Sequence, residues 1–415
     1  MKVAIIAVGT ELLFGQTVNT NATYLSNKLN LMGFDVMYHY VVGDNPKRLE
    51  EILGEAFDKV DLVITTGGLG PTQDDLTKEI VSEFMGAKLY TDESVVKELH
   101  DFFDARGRKM TDNNKKQALL PEGCTVFHNN AGTAPAFALE KDGKCAICLP
   151  GPPREMTHLF ETLVYDFLQK FLSKKMYYRV VRTIGIGESD FEDMLLPLID
   201  GQTDPTLATY AKEGECTLRI ASQRDTMEEA KQAVDEMLVK VVEICGEYIY
   251  SVDDEEISEV IVKELKRLGL TLASAESCTG GLFSASITDV SGASDVFKYG
   301  YVTYSEEAKI SALGVSAETI DKYSVVSSQV AEEMAEKLKK ISGADIAVSI
   351  TGYAGPLADE GRECGEAYIG VAYKDVVSSR LVQTHTDRRG WNRGIFRLNM
   401  MKTVYSILKS EFSAR

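Results

Sequence analysis

Residues 2 to 8 read Lys-Val-Ala-Ile-Ile-Ala-Val, a nearly unbroken apolar run. A strand without polar alternation has to be covered on both faces, which is the condition of a central strand in a parallel sheet. The segments downstream supply such cover. Ala22, Leu25, Leu29 and Met32 recur at helical spacing, Val36 to Val42 reads as a second strand, and Leu49, Ile52, Leu53 and Ala56 mark another helix before a third strand, Asp61-Leu-Val-Ile-Thr65. Strand and helix in alternation predict an α/β fold with a parallel sheet. Glu93 to Ala118 reads as one helix with Val95, Val96, Leu99, Phe102 and Phe103 inward. A further helix after Met156, with Leu159, Phe160, Leu163, Val164, Phe167 and Leu168 inward, closes this part.

A chain of 415 residues exceeds what one hydrophobic core organises, so several domains are expected. The boundaries are placed at 1–172, 173–250 and 251–415. In the middle part, Tyr177 to Ile184 and Cys216 to Ala221 read as strands, with helices through Phe191, Met194 and Leu195 and from Met227 to Ile244, giving a small α+β module. Gly185-Ile-Gly187 is followed by acids, so a nucleic-acid-gripping G-x-x-G loop with basic neighbours is not found there. The acidic junction Ser251-Val-Asp-Asp-Glu-Glu256 then caps a helix carrying Ile257, Val260, Ile261, Leu265 and Leu268. Few packed residues are expected to cross that junction, so 251–415 is expected to fold alone.

The net charge of −18 argues against a general nucleic-acid surface, since phosphate contacts need clustered Lys and Arg. No apolar run approaches membrane-spanning length. The N-terminus reads as a strand rather than a signal peptide, and seven scattered cysteines suit reduced thiols, so a cytoplasmic location is expected. Cys145 and Cys148 have redox-motif spacing but lie in an apolar run, which favours a buried strand. No two of the five histidines have metal-ligand spacing.

Two loops carry the chemistry. Thr65-Thr-Gly-Gly-Leu-Gly-Pro-Thr-Gln-Asp-Asp75 leaves the carboxyl end of the third strand, where open α/β sheets bind ligands. Its glycines let the backbone approach a phosphate. Asp74 and Asp75 either offer oxygens to a hard cation or simply favour the dipole of the next helix. The second loop, Ala273-Ser-Ala-Glu-Ser-Cys-Thr-Gly-Gly281, turns from an apolar strand into Leu282 to Ile287. Such a turn leaves backbone N–H groups for an anion or developing oxyanion, and Ser277 there offers a hydroxyl nucleophile. An ordinary Ser/Thr N-cap is the alternative, and Cys278 is a competing nucleophile.

The run A-E-S-C-T-G-G closely resembles the signature of the CinA C-terminal family, the nicotinamide mononucleotide deamidases. Gly300 to Lys309, Ala347 to Pro356 and Thr386-Asp-Arg388 follow in that family's order. The resemblance implies Ser277 as nucleophile, Lys309 as base and Tyr304 beside them. It also implies substrate contacts from Thr279, Gly280, Gly281, Thr351, Gly352, Arg388 and Arg393. The family commonly carries an arginine where this chain has Asn392. No cofactor is implied for this chemistry.

Gly9-Thr-Glu-Leu-Leu-Phe-Gly15 with Asn19-Thr-Asn21, the Thr65–Asp75 loop, and Pro150 to Met156 resemble the CinA N-terminal domain, which is similar to the molybdopterin-binding fold. That resemblance implies ADP-ribose hydrolysis. Gly9, Glu11, Asn21, Gly67, Gly68, Gly70 and Thr72 would bind the substrate, and Asp44, Asp74 and Asp75 a divalent metal, magnesium or cobalt. It further implies a KH-like middle module and a homodimer whose partners are small nucleotides, with no membrane and no direct nucleic acid.

Overall fold

In the computed structural model, which describes residues 1–212, 214–359 and 361–413, the first apolar run forms β1 (Lys2–Val8) and Val3 to Ala7 are fully buried. The chain continues through α1 (Thr20–Met32), β2 (Asp35–Val42), α2 (Pro46–Lys59), β3 (Leu62–Thr66), α3 (Thr77–Phe84), α4 (Glu93–Asp104), β4 (Thr125–Phe127), β5 (Ala136–Lys141), β6 (Lys144–Leu149) and α5 (Pro153–Leu159). These strands form one sheet in the order β2-β1-β3-β6-β5-β4. The first four are parallel, and each later pairing, β6 with β5 and β5 with β4, is antiparallel. Val3 and Ile5 face one core with Leu25, Leu29 and Phe160. Ala4 and Ile6 face another with Leu53, Val81 and Phe137. Helices on both faces are why the β1 sequence carries no polar alternation. Cys145 and Cys148 are buried reduced thiols in β6.

Two helical expectations are corrected. Glu93 to Ala118 is interrupted: α4 stops at Asp104, Gly107 takes a left-handed φ of 64°, and Asp112–Ala118 is a 3-10 turn. Phe102 is only half-buried and carries the Arg106 guanidinium 3.6 Å from its ring centre. After α5 the helix widens into a π turn, Phe160–Val164, and the added residue shifts the apolar phase so that Leu163 is exposed.

The elements described so far form a compact unit of Met1–Met176 with Gln223–Ala230. A second unit holds Tyr177–Ser222 and the chain from Lys231 onward. The elements that fall wholly or mostly in it begin with β7 (Lys175–Ile184), α6 (Glu188–Ile199), β8 (Thr206–Lys212), β9 (Glu215–Arg224), α7 (Met227–Cys245) and β10 (Ile249–Ser251). They make a four-stranded sheet, β8-β9-β7-β10. β8 was not expected from the sequence; it is an edge strand whose only buried side chain is Leu207.

Next come α8 (Ile257–Leu268), β11 (Leu272–Glu276), α9 (Leu282–Thr288), β12 (Phe297–Val302), α10 (Ser328–Ser342), β13 (Ile346–Gly352), β14 (Glu366–Tyr373), β15 (Val376–Gln383) and α11 (Arg389–Ser413). The sheet order is β12-β11-β13-β14-β15. The first three strands are parallel, and the pairings of β13 with β14 and β14 with β15 are antiparallel. β12 ends at Val302, so Thr303 and Tyr304 lie in the loop beyond it.

The junction at Asp253–Glu256 is heavily crossed, against expectation. Arg182 of β7, buried, pairs with Asp254 at 2.7 Å and Glu256 at 2.6 Å. Ile184 and Tyr250 share a core with Ile261, Leu265, Phe396 and Met400. Lys409 donates to the carbonyls of Gly246 and Glu247 at 3.1 and 3.0 Å. Among the described residues, no helix is long and apolar enough to cross a membrane.

Candidate functional sites

In the first unit, the carboxyl ends of β1, β3 and β6 open onto a cleft of roughly 580 Å³. Its lining includes Gly9, Glu11, Asp44, Gly67, Gly68, Gly70, Asp74 and Asp75 from the expected set, together with Gln117 and Glu155. Gly67 has φ 106°, and a Cβ there would sit 2.1 Å from the Val8 carbonyl oxygen, so only glycine permits this approach of the β3 loop to β1. Asn21 works from below. Its Nδ2 donates to Thr66 Oγ1 at 2.8 Å and to the Gly151 carbonyl at 2.7 Å, tying the three loops together. Thr72 is a brace rather than part of the wall, since its N–H and hydroxyl donate to Asp75 Oδ2 at 2.9 and 2.5 Å.

The same loop is held from behind by residues that the sequence did not single out. Lys116 Nζ donates to the carbonyls of Thr72, at 2.7 Å, and Asp75. Buried Lys78 donates to the Lys116 carbonyl, and desolvation pushes its pKa down to about 8. Only tertiary packing signals these lysines.

Two of the three carboxylates expected to hold a metal are already engaged by threonines. Asp44 Oδ2 already accepts from the Thr10 N–H and hydroxyl at 3.0 and 2.7 Å, and Asp75 is engaged by Thr72. Among the described residues, no three His, Cys, Asp or Glu side chains are grouped to hold a metal ion.

In the second unit, β11 delivers Ser277 to the floor of a cleft of roughly 350 Å³. The turn after it needs left-handed residues, which Gly280 and Gly281 supply with φ 62° and 94°. Glu276, fully buried, turns back onto the start of α9. Its carboxylate accepts from the N–H groups of Gly281, Phe283 and Ser284 at 3.1, 3.0 and 2.8 Å. This resident anion occupies the helix start, so that end of α9 is closed to a substrate anion. The Ser277 N–H bonds to Ile350 and the Gly280 N–H to Ser277, whereas those of Cys278 and Thr279 donate to no backbone oxygen among the described residues.

Lys309 is the centre of the arrangement. It lies in a helical turn after β12, is 1% exposed, and donates from Nζ to Ser277 Oγ at 3.0 Å and to the Thr303 carbonyl at 2.9 Å. Burial pushes its pKa down to about 8, so near physiological pH the neutral amine is a minority form but far more abundant than in an ordinary lysine. Burial acts oppositely on the neighbouring thiol and pushes Cys278 up to about 12. Ser277 thus has a base at hydrogen-bond distance, while Cys278 stays protonated.

The other expected residues divide. Thr351 and Gly352 line the cleft, although the Thr351 hydroxyl is committed to the Val325 carbonyl at 2.8 Å. Tyr304 stands exposed at the rim. Thr279 is buried, and its carbonyl accepts from Arg393 at 2.7 Å, so Arg393 supports the turn from behind. Arg388 is exposed, packs its guanidinium 5.4 Å from the Trp391 ring centre, and is not part of the lining. The arginine in the cleft is Arg389, which donates to the Gly355 carbonyl and to the Tyr304 hydroxyl, both at 2.8 Å. Asn392, fully buried, pins the loop by donating to the carbonyls of Ala354 and Thr386 at 2.9 and 2.8 Å. Consecutive arginines point differently at a helix start, and sequence spacing gave no means of ranking them.

Three family models match successive parts of the chain. Residues 4–170 match the family described as "Probable molybdopterin binding domain", residues 178–251 the "Damage-inducible protein CinA KH domain", and residues 254–407 the "CinA C-terminal domain". A competence-damage inducible protein of Caldicellulosiruptor saccharolyticus is 50% identical over 380 residues, 91% of this chain and 92% of that one. One from Caldanaerobacter subterraneus is 46% identical over 94% of each. A crystal structure of CinA from Thermoplasma acidophilum is 36% identical and covers 40% of this chain and 96% of its own, with a TM-score of 0.37. With relatives this similar along nearly its whole length, the chain belongs to the CinA family of competence- and damage-inducible proteins, carrying a molybdopterin-binding-like domain, a KH-like domain and a CinA C-terminal domain.

Proposed function

We propose that the second unit hydrolyses the carboxamide of nicotinamide mononucleotide, giving nicotinate mononucleotide and ammonia. The observation that carries this reading is the 3.0 Å contact between Lys309 Nζ and Ser277 Oγ on the floor of an open cleft. Neutral Lys309 takes the Ser277 proton as Oγ attacks the carboxamide carbon. The resulting ammonium returns a proton to the leaving amine, and ammonia departs from an acyl-serine. Lys309, neutral again, takes a proton from a water that attacks the ester, and the acid is released with Ser277 restored. Arg389 is the cation available to the 5′-phosphate.

For the first unit we propose a nucleotide site that splits the diphosphate of ADP-ribose into AMP and ribose 5-phosphate. What supports it is the position of the glycine-lined cleft at the carboxyl ends of parallel strands. Binding without hydrolysis is the second reading, favoured by the engagement of Asp44 and Asp75 with threonines.

Pure protein incubated with each nucleotide, with and without magnesium or cobalt, and assayed for ammonia and AMP tests both. Absence of ammonia under all conditions removes the first reading. Absence of AMP with every cation leaves the N-terminal cleft as a binding site.

A further inference from the structure

We infer that Glu306 reads the positive charge of the pyridinium ring, so that the cleft of the second unit takes the oxidised nicotinamide nucleotide and discriminates against its neutral 1,4-dihydro form. This rests on reading that cleft as the nicotinamide mononucleotide site. The ligand carries two opposite charges, a phosphate at one end and a quaternary ring nitrogen towards the other. Arg389 answers the first. Lys309 and Arg389 alone would make the cleft cationic and repel the ring, so the second charge calls for an anion. Among the described residues that line the cleft, Glu306 supplies the single carboxylate.

The place of Glu306 in the fold suits that task. The Ser305 hydroxyl oxygen accepts from the Ala308 N–H at 3.0 Å, which fixes a short helical turn, Glu306–Ala308, immediately before Lys309. Glu306 therefore stands on the turn that leads into the base, near enough for its charge to favour the Lys309 ammonium. Its side chain is exposed and makes no hydrogen bond or ion pair among the described residues, so its oxygens are free for a ligand. Val325 and Val326 line the same cleft and offer a flat ring an apolar surface. A carboxylate at the first position of a helical turn also favours the helix dipole. Glu307 meets that need from the same turn without lining the cleft, so the dipole alone does not account for a carboxylate facing the ligand. Reduction to the 1,4-dihydro form removes the ring charge and changes the ring's size little, which makes it the matched comparison.

The test uses the full chain carrying Ser277→Ala, which prevents turnover, and calorimetric titration with nicotinamide mononucleotide and with its 1,4-dihydro form. The oxidised form is expected to bind more tightly. Adding Glu306→Gln should weaken it roughly fivefold, as for an ion pair open to water, and leave the dihydro form unchanged. Glu307→Gln removes the same charge from the same turn and should alter neither affinity. Equal affinities for the two forms, an equal loss in both on Glu306→Gln, or an equal effect of Glu307→Gln overturns the assignment. If Ser277 is left intact and the chain shows this preference but releases no ammonia, only the hydrolytic reading is removed.

Discussion

Lys309 stands 32 residues beyond Ser277 in the chain, yet its Nζ lies 3.0 Å from the serine oxygen, in a position with almost no solvent contact. Parallel pairing of β11 with β12 brings this about, since both strands then open their carboxyl ends at one edge. The exit of β11 carries Ser277 and the turn beyond the neighbouring strand carries Lys309. The Thr303 carbonyl fixes the amine from a second side.

The protonation of that amine sets a pH dependence. Burial holds the Lys309 pKa at about 8, and in the proposed reaction the neutral form is the base. Ammonia release at subsaturating substrate should fall about tenfold per pH unit below that value and level off above it. The profile should be measured from about pH 6.5 to about pH 9.5, a span that brackets the transition on both sides. A flat profile would show that Lys309 does not act as the titrating base.

Ser277→Ala should lower ammonia release by at least about a thousandfold, because nucleophile and base act as a unit. Cys278→Ala should stay within a few-fold of the unmodified protein, since its thiol remains protonated and buried. Circular dichroism would confirm that both fold. The reverse pattern would move the nucleophile to the cysteine.

Arg389→Gln should raise KM for nicotinamide mononucleotide by roughly tenfold or more with a smaller change in kcat, and should leave nicotinamide riboside, which lacks the phosphate, unaffected. Arg388→Gln should change neither. Equal effects of the two substitutions, or a loss with the riboside as well, would remove Arg389 from phosphate recognition.

A fragment beginning at Ser251 lacks Arg182 and Ile184, which pair across the junction or pack against α8 and α11. Its melting temperature should lie about 5–15 °C below that of a fragment beginning at Lys175, as expected for a loss of several kcal/mol. Calorimetry on the two fragments checks this. Equal melting temperatures would mean that the shared core adds nothing to stability.

Much of this protein was legible in its sequence. The unbroken apolar run of β1 implied cover on both faces, and the period of α1 and α2 supplied that cover, because burial pattern is a local property of strands and helices. Ser277 could be placed at a strand-to-helix turn from the small residues and glycines around it. Tertiary structure decided what depends on which strands lie side by side. It buried Lys309 beside Ser277, filled the start of α9 with the Glu276 carboxylate, and aimed Arg389 rather than Arg388 into the cleft. It also broke the Glu93–Ala118 helix, added β8 at a sheet edge, and joined Ile184 and Tyr250 to the core of the segment beyond them. Periodicity reports which face of an element is buried. Proton affinities and the aim of a side chain come from neighbours distant in sequence, and these exist only once the sheet has formed.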